Sequence, residues 1–238
     1  MGRTERGWTM AAKEALARLR SVKGLLFDLD GTLVDLPIDY DRLRSRLRAH
    51  FIDAGISDPP QFKPMLLTID RLSDELRHMG HDENDVLQAF DTGQRIVDEE
   101  ENAGCQGATV LPGAKELLGW LRTRQIPWSV VSRNKVFGIT LAMGATGLPH
   151  REAVAVVGRE MVKAPKPSAL HAMPALKAMG LDGRSVAMVG DSWHDIELGR
   201  NIGAVSVRVW ERELTRPLTP DLHFKTLAKL MDALQDDP

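Results

Sequence analysis

Short apolar runs, each closed by turn-forming or polar residues, set what this chain can become. They lie near residues 24–29, 128–132, 153–157, 185–189 and 205–209. Runs of this length read as strands buried on both faces. Helical patterns fall between the later ones, at 114–124 behind Pro112-Gly113, at 168–179, and from about Ser192 on through 197–202. Pro174 must kink the second of these or split it into two shorter pieces. Strands alternating with helices imply an α/β chain, with a parallel sheet covered on both faces.

The stretch 36–107 breaks that rhythm. It holds no convincing strand and offers helical patterns at 40–54, 64–79 and 83–102, separated by Asp58-Pro59-Pro60 and Gly80-His81-Asp82. So long an excursion exceeds an ordinary loop and needs a core of its own. The expected organisation is therefore an N-terminal extension over 1–22 with a short helix at 11–20, a core domain from 23–35 and 108–238, and an all-helical insertion over 36–107. Hinges are expected near Leu36-Pro37 and across 104–107.

Composition allows this and excludes other classes. With 238 residues, 43% of them hydrophobic, the chain can bury one sizeable core and a small second one. A net charge of −2 suggests neither a nucleic acid nor an anionic membrane as partner, so any positive field must be local to a site. No apolar run approaches the roughly 20 residues that cross a bilayer. The polar N-terminus lacks the apolar middle of a secretory signal, which makes the cytoplasm the expected location. The one cysteine, Cys105, reads as a small buried filler.

Chemistry concentrates where the runs end. Leu25-Leu26-Phe27-Asp28-Leu29-Asp30-Gly31-Thr32 is a buried strand running into two acids. In a parallel sheet, ligands bind beyond the carboxyl ends of strands. Two like charges this close call for a cation, and a hard divalent ion such as magnesium suits carboxylate oxygens and a phosphate together. The plain alternative is a solvated Asp-Gly turn. Val130-Val131-Ser132-Arg133-Asn134 brings a hydroxyl to a strand end, where it bonds an anion or caps the next helix. Lys163 and Lys166, in Lys163-Ala164-Pro165-Lys166-Pro167, are candidate point charges. Gly190-Asp191-Ser192-Trp193-His194-Asp195 puts two acids one helical turn apart, equally readable as a capping box.

Together these segments resemble the four motifs of the haloacid dehalogenase-like hydrolase superfamily. The insertion resembles the helical cap of its phosphoglycolate-phosphatase-like subgroup. The resemblance, over about 23–210, implies a Rossmann-like doubly wound parallel sheet with a small all-helical cap that closes over the site. It implies a magnesium-dependent phosphatase acting on a small phosphorylated metabolite. Asp28 is then the nucleophile that becomes an aspartyl phosphate, Asp30 the general acid and base, and Lys166 the neutralising cation. Magnesium falls to Asp28, Asp30, Asp191 and Asp195, with Asp195 either a ligand or the group that orients Lys166. Thr32, Ser132, Arg133 and Asn134 are expected against substrate. Arg133 departs from the second motif, where Asn usually follows Ser or Thr directly; it could fork onto a substrate anion. Rival readings are a phosphomutase, a dehalogenase (disfavoured by Asp30 and Asp191), and a binding protein retaining the fold. The alternating Arg42, Arg44, Arg46 and Arg48 read mainly as a solvated face, His194 as inert, and Trp193 as worth testing.

Overall fold

The computed structural model describes residues 9–210 and 214–235. They form two compact units, one built from the chain up to Leu36 and from Gly107 onward, the other from Pro37–Gln106.

The first unit is a six-stranded sheet in the order β5-β4-β1-β6-β7-β8. Its strands are β1 (Gly24–Phe27), β4 (Trp128–Val131), β5 (Val156–Val157), β6 (Val186–Gly190), β7 (Val205–Val209) and β8 (Leu222–Phe224). Every neighbouring pair is parallel. The residues of β1, β4 and β6 are buried throughout, as continuous apolar runs require when both faces are covered. Strand order reverses at β1, which lies between β4 and β6, so their carboxyl ends flank the crevice in which α/β sheets bind ligands. The expected doubly wound parallel sheet is therefore observed. A further pair, β2 (Val34–Asp35) antiparallel to β3 (Thr109–Val110), ties together the two chain segments that flank the insertion.

On one face, α7 (Met173–Met179) and α8 (Trp193–Ile202) pack against Leu26, Val131, Val186 and Met188 through Ala175, Leu176 and Leu198. Pro174 stands in the first turn of α7, where its missing N–H costs nothing. The expected helix at 168–179 is accordingly two pieces, a 3-10 turn at Ala169–His171 and then α7. The helix α1 (Met10–Arg20) is capped by Thr9, whose Oγ1 accepts from the Ala12 N–H at 3.2 Å. It buries Leu16 and Leu19 and packs on β7, β8 and α9 (Leu227–Gln235), so the extension adds to the core. The remaining helices of this unit are α5 (Ala114–Thr123) and α6 (Val136–Ala145).

The second unit consists of α2 (Tyr40–Asp53), α3 (Met65–His78) and α4 (Glu83–Gln106) around Leu43, Leu47, Phe51, Ile69, Leu72, Leu76, Val86 and Val97. Cys105 is fully buried in α4. The arginine row of α2 is not a simple solvated face. Arg42 and Arg46 both bond the buried Glu100, Arg44 pairs with Asp41 at 2.9 Å, and Arg48 pairs with Asp58 at 2.8 Å. Among the described residues no helix is long and apolar enough to cross a membrane.

Candidate active site

Asp28 follows β1 and remains in the sheet's ladder, its N–H donating to the Val189 carbonyl at 2.9 Å. Phe27 pairs with Val189 in the register, and the Asp28 carboxylate one residue on lies within 4.8 Å of that of Asp191, which follows β6. Beyond Asp28 the chain turns sharply. Thr32, Leu33 and Val34 all direct their N–H groups at the Leu29 carbonyl, and Gly31 takes φ +72°, a value that favours glycine. This fold-back buries Thr32 completely, and its Oγ1 has no hydrogen-bond partner. The Asp30 Oδ1 accepts from the Leu36 N–H at 3.1 Å.

Asp195 reaches the same place from α8. Its Oδ2 accepts from the Ser192 N–H at 3.1 Å and from the Ser192 hydroxyl at 2.5 Å. The capping reading and the site reading of Asp195 thus describe one arrangement. It depends on Gly190, because a Cβ there would lie 2.2 Å from the Asp195 Cγ.

Lys166 connects the two carboxylate pairs. Its Nζ lies 2.6 Å from the Asp28 Oδ1 and 2.6 Å from the Asp195 Oδ1, and the residue is 4% exposed. Lys163, the competing candidate, is exposed and makes no ion pair among the described residues. Asp28, Asp191 and Asp195 each offer an oxygen, all within 4.8 Å of one another. Asp30 is not in that group.

The electrostatics are those of a site short of positive charge. Burial pushes the Asp28 carboxyl up, Lys166 pulls it back, and Asp195 and Asp191 raise it again, leaving it at about 7. Burial pulls the Lys166 ammonium down, but Asp195 and Asp28 outweigh that and hold it above its ordinary value. One buried ammonium shared by several carboxylates is a place for a further cation.

The rim is formed at the end of β4. Ser132 is buried, its N–H donating to the Val157 carbonyl at 3.0 Å and its Oγ accepting from the Asn134 N–H at 3.3 Å. Ser132 does not cap α6, which starts at Val136 with Lys135 in the cap position. Arg133 is exposed, and its Nη1 lies 3.1 Å from the His194 Nε2. His194 stacks on Trp193 with ring centres 3.8 Å apart, and the Arg216 guanidinium lies over the Trp193 ring, 5.1 Å from its centre. Burial first, then the Arg133 charge, lowers His194 to about 4. His194 is therefore a neutral partner of Arg133 rather than an inert surface group. The carbonyl of Arg133 accepts from the Arg159 Nη1 at 2.8 Å. Arg159 escaped sequence reading because nothing marks it out from other loop arginines. His171 escaped because it lies five positions beyond Lys166, a spacing that marks no contact.

Residues 22–203 match the family model for haloacid dehalogenase-like hydrolases. The chain belongs to that family. This haloacid dehalogenase-like hydrolase is 27% identical over 226 residues to a phosphoglycolate phosphatase of Chromobacterium violaceum, covering 92% of this chain and 99% of that protein. It is 31% identical over 173 residues to hexitol phosphatase A of Escherichia coli, covering 71% and 74%. Among solved structures, CbbY from Rhodobacter sphaeroides in complex with phosphate superposes with a TM-score of 0.65 at 20% identity, covering 90% of this chain and 99% of that one. The resemblance first read from four short motifs thus extends over most of the chain.

Proposed function

We propose that this chain is a magnesium-dependent phosphatase that hydrolyses a small phosphate monoester through an aspartyl phosphate on Asp28. The observation that carries the reading is the Lys166 ammonium held 2.6 Å from both Asp28 and Asp195 at the strand ends. The names of relatives such as phosphoglycolate phosphatase, hexitol phosphatase A and N-acetylmuramic acid 6-phosphate phosphatase support it.

The donor set fits magnesium. Its oxygens are hard and gathered within 4.8 Å, and the Asp28 carboxyl is raised by burial first and by Asp195 and Asp191 after the partial offset from Lys166. Asp28 and Asp191 are the residues proposed to hold the ion. Both Asp195 oxygens are already engaged, by Lys166 and Ser192, so Asp195 is assigned to orienting Lys166. A bound divalent ion supplies positive charge against the phosphoryl oxygens.

In the first step an Asp28 oxygen attacks phosphorus and the ester P–O bond breaks. Asp30, protonated, gives its proton to the leaving alkoxide, which would otherwise be too basic to depart. In the second step water attacks phosphorus, Asp30 takes back a proton, and the bond to Asp28 breaks to release inorganic phosphate. Lys166 neutralises charge on the phosphoryl group throughout. Ser132, Asn134 and Thr32 are assigned to the phosphate, and Arg133 to an anionic group on the substrate.

Asp28→Asn should abolish release of inorganic phosphate from p-nitrophenyl phosphate in magnesium buffer. EDTA should stop the wild-type reaction and added magnesium restore it. Phosphate release that survives in the variant removes the nucleophile assignment, and a chelator-resistant rate removes the metal. A panel led by phosphoglycolate and hexitol phosphates then ranks substrates, with free phosphate as product separating hydrolysis from transfer to a sugar.

A further inference from the structure

His171 is a buried titratable group that this scheme does not use. It lies fully buried in the 3-10 turn between Lys166 and α7, and its Nδ1 accepts from the Lys166 backbone N–H at 2.9 Å. We infer that His171 is a positioning residue for the catalytic lysine, with its neutral ring serving as the acceptor that fixes the Lys166 backbone. This rests on the role of Lys166 proposed above.

The local sequence explains why such an acceptor is needed. Lys166 lies between Pro165 and Pro167, neither of which has an N–H. The Lys166 N–H is therefore the one backbone donor among these three residues, and no strand lies there to receive it. Left unpaired at 4% exposure, it would pull the loop toward water. His171 receives it, and the Asn201 Nδ2 donates to the Pro167 carbonyl at 2.9 Å from the end of α8. Two side chains thus do for this loop what a ladder does for a strand. Their effect is felt at Nζ, where both carboxylate contacts are 2.6 Å and a displacement of about 1 Å is enough to cost on the order of a hundredfold in rate.

The ring's state follows from its surroundings. Nδ1 can accept only if it carries no proton, so Nε2 holds the hydrogen. Nε2 is buried and makes no hydrogen bond of normal geometry. Burial first, then the Lys166 charge, brings the His171 pKa down to about 4, so the ring is neutral at working pH.

The test uses the full chain with p-nitrophenyl phosphate and magnesium. His171→Phe keeps a ring and removes the acceptor, whereas His171→Asn offers an oxygen near the position of Nδ1. The Phe variant should lose about tenfold or more in kcat with KM changed less than about twofold, and the Asn variant should recover most of that loss. Exchange of the Lys166 amide hydrogen should accelerate in the Phe variant. Nitrogen NMR of the wild type should show Nδ1 unprotonated and Nε2 protonated. A folded Phe variant with wild-type kcat, an Asn variant no better than Phe, or a protonated Nδ1 overturns the inference. If the Phe variant fails to fold, the wild-type tautomer and the Asn variant decide. Lys166→Ala is the separating control. If the wild type has no phosphatase activity the phosphatase reading falls; if Lys166→Ala matches an active wild type, the phosphatase reading stands and the catalytic role of Lys166 falls; either result removes the positioning role.

Discussion

Glu100 in the helical unit and Asp28 in the sheet unit are both buried acids, and their neighbours treat them oppositely. Glu100 accepts from the Arg42 Nη2 at 2.6 Å and the Arg46 Nη1 at 2.7 Å, and Arg46 also pairs with Glu99 at 2.6 Å, so two guanidinium groups meet two carboxylates. Hydrogen bonds from Arg42 hold its carboxyl below the ordinary range, even though burial opposes them. Asp28 shares a single ammonium with Asp195 beside a third acid, and its carboxyl is raised. The first arrangement is complete and holds α2 to α4. The second is complete only when a cation or a phosphoryl group joins it. Burial raises both carboxyls, and the outcome turns on whether the neighbouring cations outweigh it, as they do at Glu100 and do not at Asp28.

The largest effect expected from that distinction comes from Lys166→Met. If the lysine answers charge developing on phosphorus, kcat/KM for p-nitrophenyl phosphate should fall by roughly a hundred- to a thousandfold. A loss under about threefold would make Lys166 another Glu100-type partner, there to neutralise buried acids, and would break the comparison.

Arg133 carries the same contrast to the rim. Arg42, Arg44, Arg46 and Arg48 each meet a carboxylate within their own unit, whereas the Arg133 guanidinium meets only His194 among the described residues. Arg133→Ala should raise KM for the preferred substrate by about tenfold, the usual cost of a charge-assisted hydrogen bond. An unchanged KM would assign Arg133 to the Trp193–His194 stack alone.

Much of this was legible in the residues. Runs of 4–5 buried residues announced β1, β4, β6 and β7, and their polar ends placed Asp28, Ser132 and Asp191. Other elements gave too little signal. The strand β8 is 3 residues long and β2 and β3 have 2 each, too short for any period. In α6, Val136–Ala145 is almost uniformly apolar and includes two glycines, so it shows no stripe. Asp195 was ambiguous because one carboxylate both caps α8 and bonds Lys166. The Glu100 pairs span 54 and 58 residues, and the bond from Lys166 to His171 depends on a loop with two prolines. Such contacts arise from tertiary folding, which local spacing does not encode.

The smallest effect is expected at Glu100 and sharpens the comparison from its structural side. Glu100→Gln keeps the side-chain shape and removes the charge between Arg42 and Arg46. The Glu100 pKa is depressed in the fold, so its contribution is fully present above the unfolded value of 4.5 and is lost as pH falls through the lower folded value. At pH 7 the variant should melt roughly 4 °C below the wild type. The gap should narrow below pH 4.5 and close as pH falls through the lower folded value, where the folded wild-type carboxylate takes up its proton. Turnover of p-nitrophenyl phosphate should stay within about twofold, since Glu100 belongs to none of the reacting groups. Melting curves across pH, followed by circular dichroism, measure this directly. Equal midpoints at pH 7 would show that two guanidinium groups around a buried acid add no net stability here, which would leave the helical unit to its apolar core alone.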